Sequence, residues 1–477
     1  MNQKLEFRGG WGTAFVPVAI FLFFCVLYFI VFKAFEMHAL GMGALVALII
    51  GAIFVKKGNY ERYWNSVYDG VREAVPIIVL LLVIGMFAEL IKTTNISGGF
   101  VWIANLLNVD GGLFTALTFL AVCIIATATG SSIGTMFTCF PIFYPAGVLL
   151  GCDPALLAGA IVSGSIFGDN LAPISDTTII SAGTQYYTKK KGIAELGGIV
   201  ASRFKYSFVA GIISFILFWI LGGSGTVSGN ATEFLVENTN PMTLVMLIPV
   251  AVMLIVAVKF RNMYIAITVG LVLGTVTGLV ANLLTLDDII SVADGVPAGY
   301  LAGGISYMMG TVTLVLSVYG IMGVLNGAGV IEKVTSGILN SKLCRSVRGA
   351  EIAMMLGISF TTLSFGGVTS ASMATFGKVQ NEIGKRVGLH PYRRANLLDG
   401  FANSLVLVVP FLSVFVFIGA LLTQGYDFVE PLLLTEVSSG LIYCMILFLV
   451  LLFSVITGWG REYEGPDGKP VSQPVEK

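Results

Sequence analysis

The sequence predicts an all-α polytopic membrane protein, with about ten transmembrane helices and two re-entrant hairpins arranged as inverted repeats. Three observations support this fold class. Only 11% of the 477 residues are Asp, Glu, Lys or Arg, against about 25% in soluble proteins. Long stretches carry no charge, and two parts of the chain share a spacing of Gly and Pro residues. The equal numbers of basic and acidic residues, 27 of each, exclude a nucleic-acid-binding chain.

Stretches with no charge, or with isolated acids, supply the roughly 20 apolar residues that one bilayer crossing requires. They are 9–32, 37–55, 74–94, 111–152, 154–188, 206–232, 238–258, 263–286, 295–331, 352–377, 400–426 and 437–460. The stretch 111–152 is too long for one crossing and is interrupted at 127–132, which predicts a hairpin. An interruption at 364–370 divides 350–385 in the same way. If both hairpins return to their side of entry, every Lys and Arg except Lys33 and Lys92 lies on one side. The positive-inside rule makes that side the cytoplasm and places both termini there.

An internal repeat appears when the chain is shifted by 237 residues (367 minus 130). The shift aligns Gly130 with Gly367 and Pro173 with Pro410, among eight identical pairs. We therefore predict a first inverted repeat with the N-terminal helix at 1–204, a linking helix at 205–237, a second inverted repeat at 238–424, a final transmembrane helix at 425–460 and a cytoplasmic tail at 461–477. Paired broken helices in inverted repeats are typical of secondary transporters. Chance similarity between Gly-rich helices is the alternative.

Acidic side chains inside a membrane are costly, at about 2.5–3.5 kcal/mol each on insertion scales, and are functional candidates by default. Asp169 and Asp176 flank Pro173, which frees a carbonyl near position 169 and so adds backbone oxygen to two carboxylates. Such hard oxygen ligands suit Na⁺ or H⁺ better than a transition metal. The alternative is that both acids only pair with neighbouring helices. Glu89 is a further candidate, although it could simply pair with Lys92 one turn later.

The second repeat offers Asp399 and Asn403, which lie four residues apart and share a helix face. Asp399 could equally lie near the inner surface after two Arg residues. The two interruptions are rich in hydroxyl groups and Gly, as expected of loops that line a substrate cavity, although such residues also serve close helix packing. The candidate lining residues are Thr127, Thr129, Ser131, Ser132, Ser364, Gly367, Thr369 and Ser370.

The segment 167–178, Phe-Gly-Asp-Asn-Leu-Ala-Pro-Ile-Ser-Asp-Thr-Thr, resembles the signature segment of the NhaC family of sodium/proton antiporters. The resemblance implies an ion transporter superfamily fold with inverted repeats. It also implies an ion site that includes Asp169, Asp176, Ser175 and Thr177. Some members carry a Lys where this chain has Asn170, so an internal counter-charge is missing at that position. Relatives in the family differ in the solute that they carry.

We therefore expect a secondary active transporter of the bacterial inner membrane that exchanges Na⁺ for H⁺. The alternative is Na⁺-coupled transport of an amino acid or small organic acid, by symport or exchange. The expected ion- or proton-binding residues are Asp169, Asn170, Ser175, Asp176, Thr177, Asp399 and Asn403, with Na⁺ at Asp169 and Asp176. No enzymatic activity and no cofactor are expected, with Na⁺ and H⁺ as the coupling ions. The expected partners are the lipid bilayer, these ions and, on the alternative, the organic solute, while a homodimer is left open.

Overall fold

The chain is built almost entirely of helices, in the computed structural model that describes residues 4–32, 37–106, 110–223, 225, 239–260, 262–293, 295–424, 426 and 428–474. Lys33 and nearly all of the loop expected at 224–237 lie outside these residues. A helix satisfies every backbone hydrogen bond within its own segment, so apolar runs of this length fold as helices in lipid. The protein is thus a helical, multi-pass membrane protein.

The helices are bounded as follows. In the first half they are α1 Val16–Val26, α2 Met37–Ile53, α3 Tyr60–Thr93, α4 Ile96–Leu106, α5 Gly111–Thr129, α6 Ser132–Leu149, α7 Pro154–Leu171, α8 Asp176–Gly183 and α9 Leu196–Leu221. In the second half they are α10 Leu247–Phe260, α11 Met263–Val280, α12 Leu286–Ile289, α13 Tyr300–Gly327, α14 Val330–Leu339, α15 Val347–Ser364, α16 Thr369–Arg386, α17 Pro391–Ala402, α18 Val414–Leu422, α19 Leu434–Gly440 and α20 Ile442–Thr457. The structure also has two short antiparallel pairs of strands, β1 Ser291–Ala293 with β2 Val296–Ala298 and β3 Tyr463–Glu464 with β4 Pro470–Val471.

Both predicted interruptions are present as helix breaks. Helix α5 ends at Gly130, which adopts the left-handed conformation, and Ser131 caps the next helix by accepting a hydrogen bond from the Gly134 N–H at 3.2 Å. Helix α15 ends at Ser364, and Gly366 and Gly367 both have positive φ before α16 begins. Gly tolerates this conformation without steric cost, which explains why it stands at each break.

The order of helices repeats with an almost constant spacing. Helices α5, α6, α7 and α8 begin at 111, 132, 154 and 176, whereas α15, α16, α17 and α18 begin at 347, 369, 391 and 414. The differences are 236, 237, 237 and 238 residues, close to the shift that aligned the sequence with itself. Pro154 and Pro391 occupy the first turn of α7 and α17, where the missing N–H of proline costs nothing.

Helices α3 and α13 pack closely along much of their length. A Cβ at Gly70 of α3 would come within 2.9 Å of the Gly323 Cα, and a Cβ at Gly85 within 2.5 Å of the Gly304 carbonyl oxygen. The partner's number falls as the residue number rises, so the two helices run antiparallel. Helix α13 also packs on α2, whereas α5, α7, α9 and α20 pack on one another in a second group.

Several expectations about length were wrong in detail. The segment 154–188, expected as one stretch, contains two helices, because Pro173 cannot donate the hydrogen bond that would continue α7. Helix α3 begins at Tyr60 rather than near 74. Among the described helices, six are long and apolar enough to cross a bilayer, counting α7 with α8 as one, or seven if α19 and α20 form one bent span. Four shorter apolar helices remain, so the ten crossings and two hairpins stay a prediction.

The tail is not free over the described residues 461–474. Strands β3 and β4 form a hairpin, and the Glu464 side chain accepts hydrogen bonds from the backbone N–H groups of Thr188 and Lys189 at 2.7 and 2.6 Å. The Arg461 guanidinium pairs with the Glu351 carboxylate at 2.6 Å. The predicted tail is therefore bound to the loop at 188–189 and to α15.

Candidate ion-binding site

The break between α7 and α8 forms the centre of the candidate site. Helix α7 ends at Leu171 because Pro173 has no N–H for the Asp169 carbonyl. Ser175 then caps α8, since its Oγ accepts a hydrogen bond from the Thr177 N–H at 3.2 Å. The last turn of α7 and the first turn of α8 therefore bring the signature residues to one place.

Asp169 is the buried carboxylate of this break, with only 6% of the residue exposed. The Ser175 hydroxyl donates to its Oδ1 at 2.5 Å, and the Ser132 hydroxyl at the start of α6 donates to its Oδ2 at 3.1 Å. The Thr177 hydroxyl in turn lies 2.8 Å from the Ser175 hydroxyl. Within the described residues, no Lys or Arg forms an ion pair with Asp169, so hydroxyl groups alone meet the carboxylate there.

A cavity of about 350 Å³ lies against this carboxylate. Its wall contains residues of both helix breaks, together with Pro76 of α3 and Tyr264 of α11. The lining residues that the sequence predicted are Thr129, Ser131, Ser132, Asp169, Asp176, Thr177, Thr369 and Ser370. Asp176, at the first position of α8, is exposed and faces the same cavity as the buried Asp169. The break of the first repeat and the break of the second thus meet at one cavity.

Other predicted site residues lie elsewhere. The Asn170 side-chain amide donates to the hydroxyls of Ser207 and Tyr443, both at 3.3 Å, on the far side of α7 from the Asp169 contacts. Asp399 is fully buried, so it does not lie at an exposed inner surface, and it is not among the residues that line the cavity. Its Oδ1 accepts a hydrogen bond from the Asn403 amide at 2.6 Å.

The remaining candidates do not face the cavity. The Thr127 hydroxyl donates to the Cys123 carbonyl at 2.7 Å, and the residue lines an apolar groove between α5 and α9. The Ser364 hydroxyl donates to the Phe360 carbonyl at 2.8 Å. Gly367 lies in the turn before α16, where a Cβ would come within 3.1 Å of the Ser413 Cα. Within the described residues, Glu89 forms no ion pair with Lys92, and the proposed pairing is wrong.

Sequence reasoning missed Arg203, which lies inside α9 and is only 2% exposed. Its Nη1 lies 2.6 Å from the Asp399 Oδ2. The sequence analysis placed basic residues in cytoplasmic loops and began the next uncharged stretch at 206. Arg203 was therefore expected outside the membrane. The sequence did contain a signal for this residue: if the apolar helix begins at Leu196, Arg203 lies about two turns inside it. Asn262 and Tyr264, which also line the cavity, gave no comparable signal.

Comparison with known proteins is consistent with this geometry. The model of the Na⁺/H⁺ antiporter family matches residues 10–190. A malate-2H⁺/Na⁺-lactate antiporter of Bacillus subtilis is 28% identical over 65% of this chain and 68% of its own. The Na⁺/H⁺ antiporter NhaC of Alkalihalophilus pseudofirmus is 28% identical with the same coverage of both chains. The solved structure of MtrF from Neisseria gonorrhoeae covers 94% of this chain and 97% of its own at 12% identity, with a TM-score of 0.42, too low to bear on the fold.

Apolar helices that enclose a cavity with a buried carboxylate are typical of secondary transporters, and the relatives named above are antiporters. The matched residues 10–190 include the signature segment 167–178, so the comparisons show that this chain is similar to the Na⁺/H⁺ antiporter family and to an NhaC antiporter.

Proposed function

We propose that this chain exchanges Na⁺ for H⁺ at the Asp169 carboxylate, by secondary active transport. One observation carries the proposal: a buried carboxylate at the wall of a cavity is met only by hydroxyl groups among the described residues. A buried charge without a basic partner is costly. Binding of either a proton or a cation removes that cost, so the two ligands compete for one site.

The hydroxyl groups suit this competition. A hydroxyl can donate one hydrogen bond and accept two. With the site empty, Ser132 and Ser175 donate to the carboxylate. When Na⁺ binds, the same hydroxyls rotate and offer lone pairs to the cation, and Asp176 and Thr177 add further oxygens at the cavity wall. When a proton binds, Asp169 becomes a donor and a hydroxyl accepts. No cofactor takes part.

The proposal extends to the architecture. We propose ten crossings and two re-entrant hairpins, with the domain ranges given above and both termini in the cytoplasm of a bacterial cell. The antiparallel packing of α3 and α13 supports inverted repeats, because these helices hold corresponding places in the two series. Rocking or sliding of the two helix groups would expose the site to each side in turn, as in other transporters with inverted repeats.

A second candidate function is Na⁺-coupled transport of a small organic acid or amino acid. The cavity volume of about 350 Å³ exceeds what a bare cation needs. The N-termini of α6 and α16 both reach the cavity, at Ser131 and Thr369. Unpaired backbone N–H groups at helix N-termini favour carboxylates. The similarity to a lactate-exchanging relative supports this alternative.

The test uses purified protein in liposomes that contain a pH-sensitive dye, with Na⁺ added outside. We expect wild type to move protons in response to the Na⁺ gradient and Asp169→Asn to lose this flux, because the amide cannot exchange a proton for Na⁺. The matched control is Asp110→Asn, since Asp110 caps α5 away from the cavity and Asn caps a helix as well as Asp does. It should keep the wild-type flux.

The outcomes separate the two functions. Proton movement in response to Na⁺ alone supports antiport. A response that requires added organic acids or amino acids favours the second candidate. Full Na⁺-driven flux in Asp169→Asn would exclude Asp169 as the exchange site.

A further inference from the structure

Arg203 connects three helices at the edge of the candidate site. Its Nη1 donates to the Asn170 carbonyl at 2.6 Å and to the Thr178 hydroxyl at 3.1 Å, and its Nη2 donates to the Ser181 hydroxyl at 3.2 Å. Asn170 belongs to the last turn of α7, whereas Thr178 and Ser181 belong to α8. One guanidinium from α9 therefore holds both sides of the break that carries Ser175.

The same side chain reaches the second repeat. Arg203 pairs with Asp399 of α17 at 2.6 Å, and its Nε donates to the Asn396 side chain at 3.1 Å. The Ser181 hydroxyl also lies 3.4 Å from the Asp399 Oδ2. Arg203 thus brings a positive charge close to Asn170, where some family members carry a Lys, but this charge is paired with Asp399. Since the pair is neutral as a whole, the charge of Asp169 remains for Na⁺ or H⁺ to balance.

We propose that Arg203 is a positioning residue for Na⁺ binding: it fixes the α7–α8 break, and thereby the distance between Asp169 and its Ser175 partner. The inference rests on the proposed exchange at Asp169. Arg203 does not touch the ion. It acts through the Asn170 carbonyl, one residue after Asp169, and through α8, which begins one residue after Ser175.

The chemistry of this position requires Arg. A guanidinium presents five N–H donors in a rigid plane, so it can bind several acceptors at once, whereas a Lys ammonium is a point charge on a flexible chain. Lys at 203 can still balance the buried charge of Asp399. It cannot keep the bonds to Asn170, Thr178 and Ser181 together.

The test measures Na⁺ affinity in two ways, by Na⁺-driven proton flux in liposomes and by the rise of the melting temperature with Na⁺ concentration in detergent. Loss of a group that orients a metal ligand typically lowers metal affinity 10- to 100-fold. For Arg203→Lys we therefore expect the Na⁺ concentration for half-saturation to rise about tenfold or more in both assays, while the protein remains folded.

A second variant separates positioning from charge balance. Arg203→Gln combined with Asp399→Asn removes both buried charges, so its stability in the absence of Na⁺ should exceed that of Arg203→Gln alone. Its Na⁺ half-saturation should remain raised, because the bonds across the break are still lost. Recovery of wild-type Na⁺ half-saturation in this double variant would overturn the inference and leave Arg203 as a partner of Asp399 only.

The matched control is Arg393→Lys. Arg393 is also fully buried and pairs with a buried acid, Glu351, at 2.7 Å, but among the described contacts it does not touch the break. The Arg393→Lys variant should be less stable than wild type, but its Na⁺ concentration for half-saturation should not change. An equal rise in Arg393→Lys would show that any buried Arg has this effect and would overturn the inference. If wild type responds to Na⁺ in neither assay, the proposed function itself is wrong. If wild type responds and Arg203→Lys has the same Na⁺ half-saturation as wild type, only the positioning role is wrong.

Discussion

Three aspartates of the membrane-embedded chain differ in what surrounds them. Asp399 has a guanidinium at 2.6 Å and an amide at 2.6 Å, so its charge is already balanced. Asp176 is exposed to the cavity. Asp169 is buried and held by two hydroxyls. Of the three, Asp169 therefore gains most from binding an ion or a proton, because it is buried and no basic side chain among the described residues pairs with it.

Ser175 is the hydroxyl whose loss should weaken ion binding most directly. Ser175→Ala removes the 2.5 Å hydrogen bond to Asp169 and the cap of α8. In the proposed Na⁺-bound state the Ser175 oxygen faces the cation, so its loss removes a ligand. Since loss of groups at a metal site typically lowers affinity 10- to 100-fold, we expect the Na⁺ half-saturation concentration of proton flux to rise about tenfold or more. The measurement is a Na⁺ titration of the flux in liposomes.

Ser346→Ala is the control for the lost cap. Ser346 caps α15 by accepting from the Gly349 N–H at 3.1 Å and makes no described contact with Asp169. Both variants should lose about 1 kcal/mol of stability, as is typical of Ser caps. If both also change Na⁺ half-saturation equally, the contact between Ser175 and Asp169 is not what matters for binding.

At the residue level, the sequence predicted the cavity-lining hydroxyls and Asp169 but not Arg203. The signature residues are adjacent in the chain, so local pattern places them together. Arg203 and Asp399 are distant in sequence, and only the packing of α9 against α17 makes them partners. Composition cannot distinguish a basic residue in a cytoplasmic loop from one that is buried against an acid.

At the level of elements, helix ends were predictable because their causes are local. Gly130, Gly367, Pro154 and Pro391 mark ends and starts that recur with a spacing near 237 residues. The sequence pattern further predicts that α5 with α6, and α15 with α16, turn back within the bilayer as hairpins.

The contact between α3 and α13 should depend on its glycines. A Cβ at Gly323 would lie 2.9 Å from the Gly70 nitrogen and 3.0 Å from its Cα, and closer still to the Ser66 carbonyl. Backbone atoms cannot move aside as a side chain can. We expect Gly323→Ala to lower the free energy of unfolding by about 1–3 kcal/mol, in the range of overpacked cores, measured by thermal unfolding in detergent.

Gly337→Ala in α14 provides the comparison. No heavy atom lies within 4 Å of a Cβ built there, so the added methyl meets open space. Since Ala favours a helix over Gly by roughly 0.5–1 kcal/mol, this variant should be unchanged or slightly more stable. Equal stability of the two variants would mean that α3 and α13 can move apart at no cost.

At the level of the whole molecule, the cavity lies where two helix groups meet. Pro76 of α3 and Tyr264 of α11, which packs on α3, line it together with Asp169 of α7 and Thr369 of α16. The Tyr264 hydroxyl donates to the Pro76 carbonyl at 2.7 Å. The position of the cavity follows from the packing of helices that are distant in sequence. The pattern of apolar residues along a single helix cannot predict it. Relative movement of the groups would change access to Asp169.

The C-terminal hairpin is a second feature of the whole molecule that composition did not predict. It joins distant parts of the chain, since the Glu462 carbonyl accepts from the His390 N–H at 2.9 Å while Glu464 binds the segment at 188–189. Burial lowers the pKa of His390, which keeps the ring neutral beneath the hairpin. The hairpin thus bonds the loop before α9 to the start of α17.

Loss of Glu464 should release the loop that it holds. Glu464 is only 5% exposed and anchors the hairpin to the loop. Glu464→Ala leaves two backbone N–H groups without their acceptor, which costs about 1–3 kcal/mol of free energy. The loop contains Lys189, Lys190 and Lys191, which are trypsin sites. Since one or two kcal/mol corresponds to a factor of about 5–30 in an equilibrium, we expect cleavage at these lysines to accelerate by about that factor.

Asp467→Ala tests whether the effect comes from the bonds of Glu464 rather than from any change in the hairpin. Asp467 is exposed in the turn between β3 and β4 and pairs with Lys469 at 3.4 Å, a contact of little energetic weight at the surface. Its cleavage rate should stay near wild type, because the bonds from Thr188 and Lys189 remain. Rapid cleavage of wild type, at the rate of Glu464→Ala, would mean that the hairpin does not hold this loop in solution.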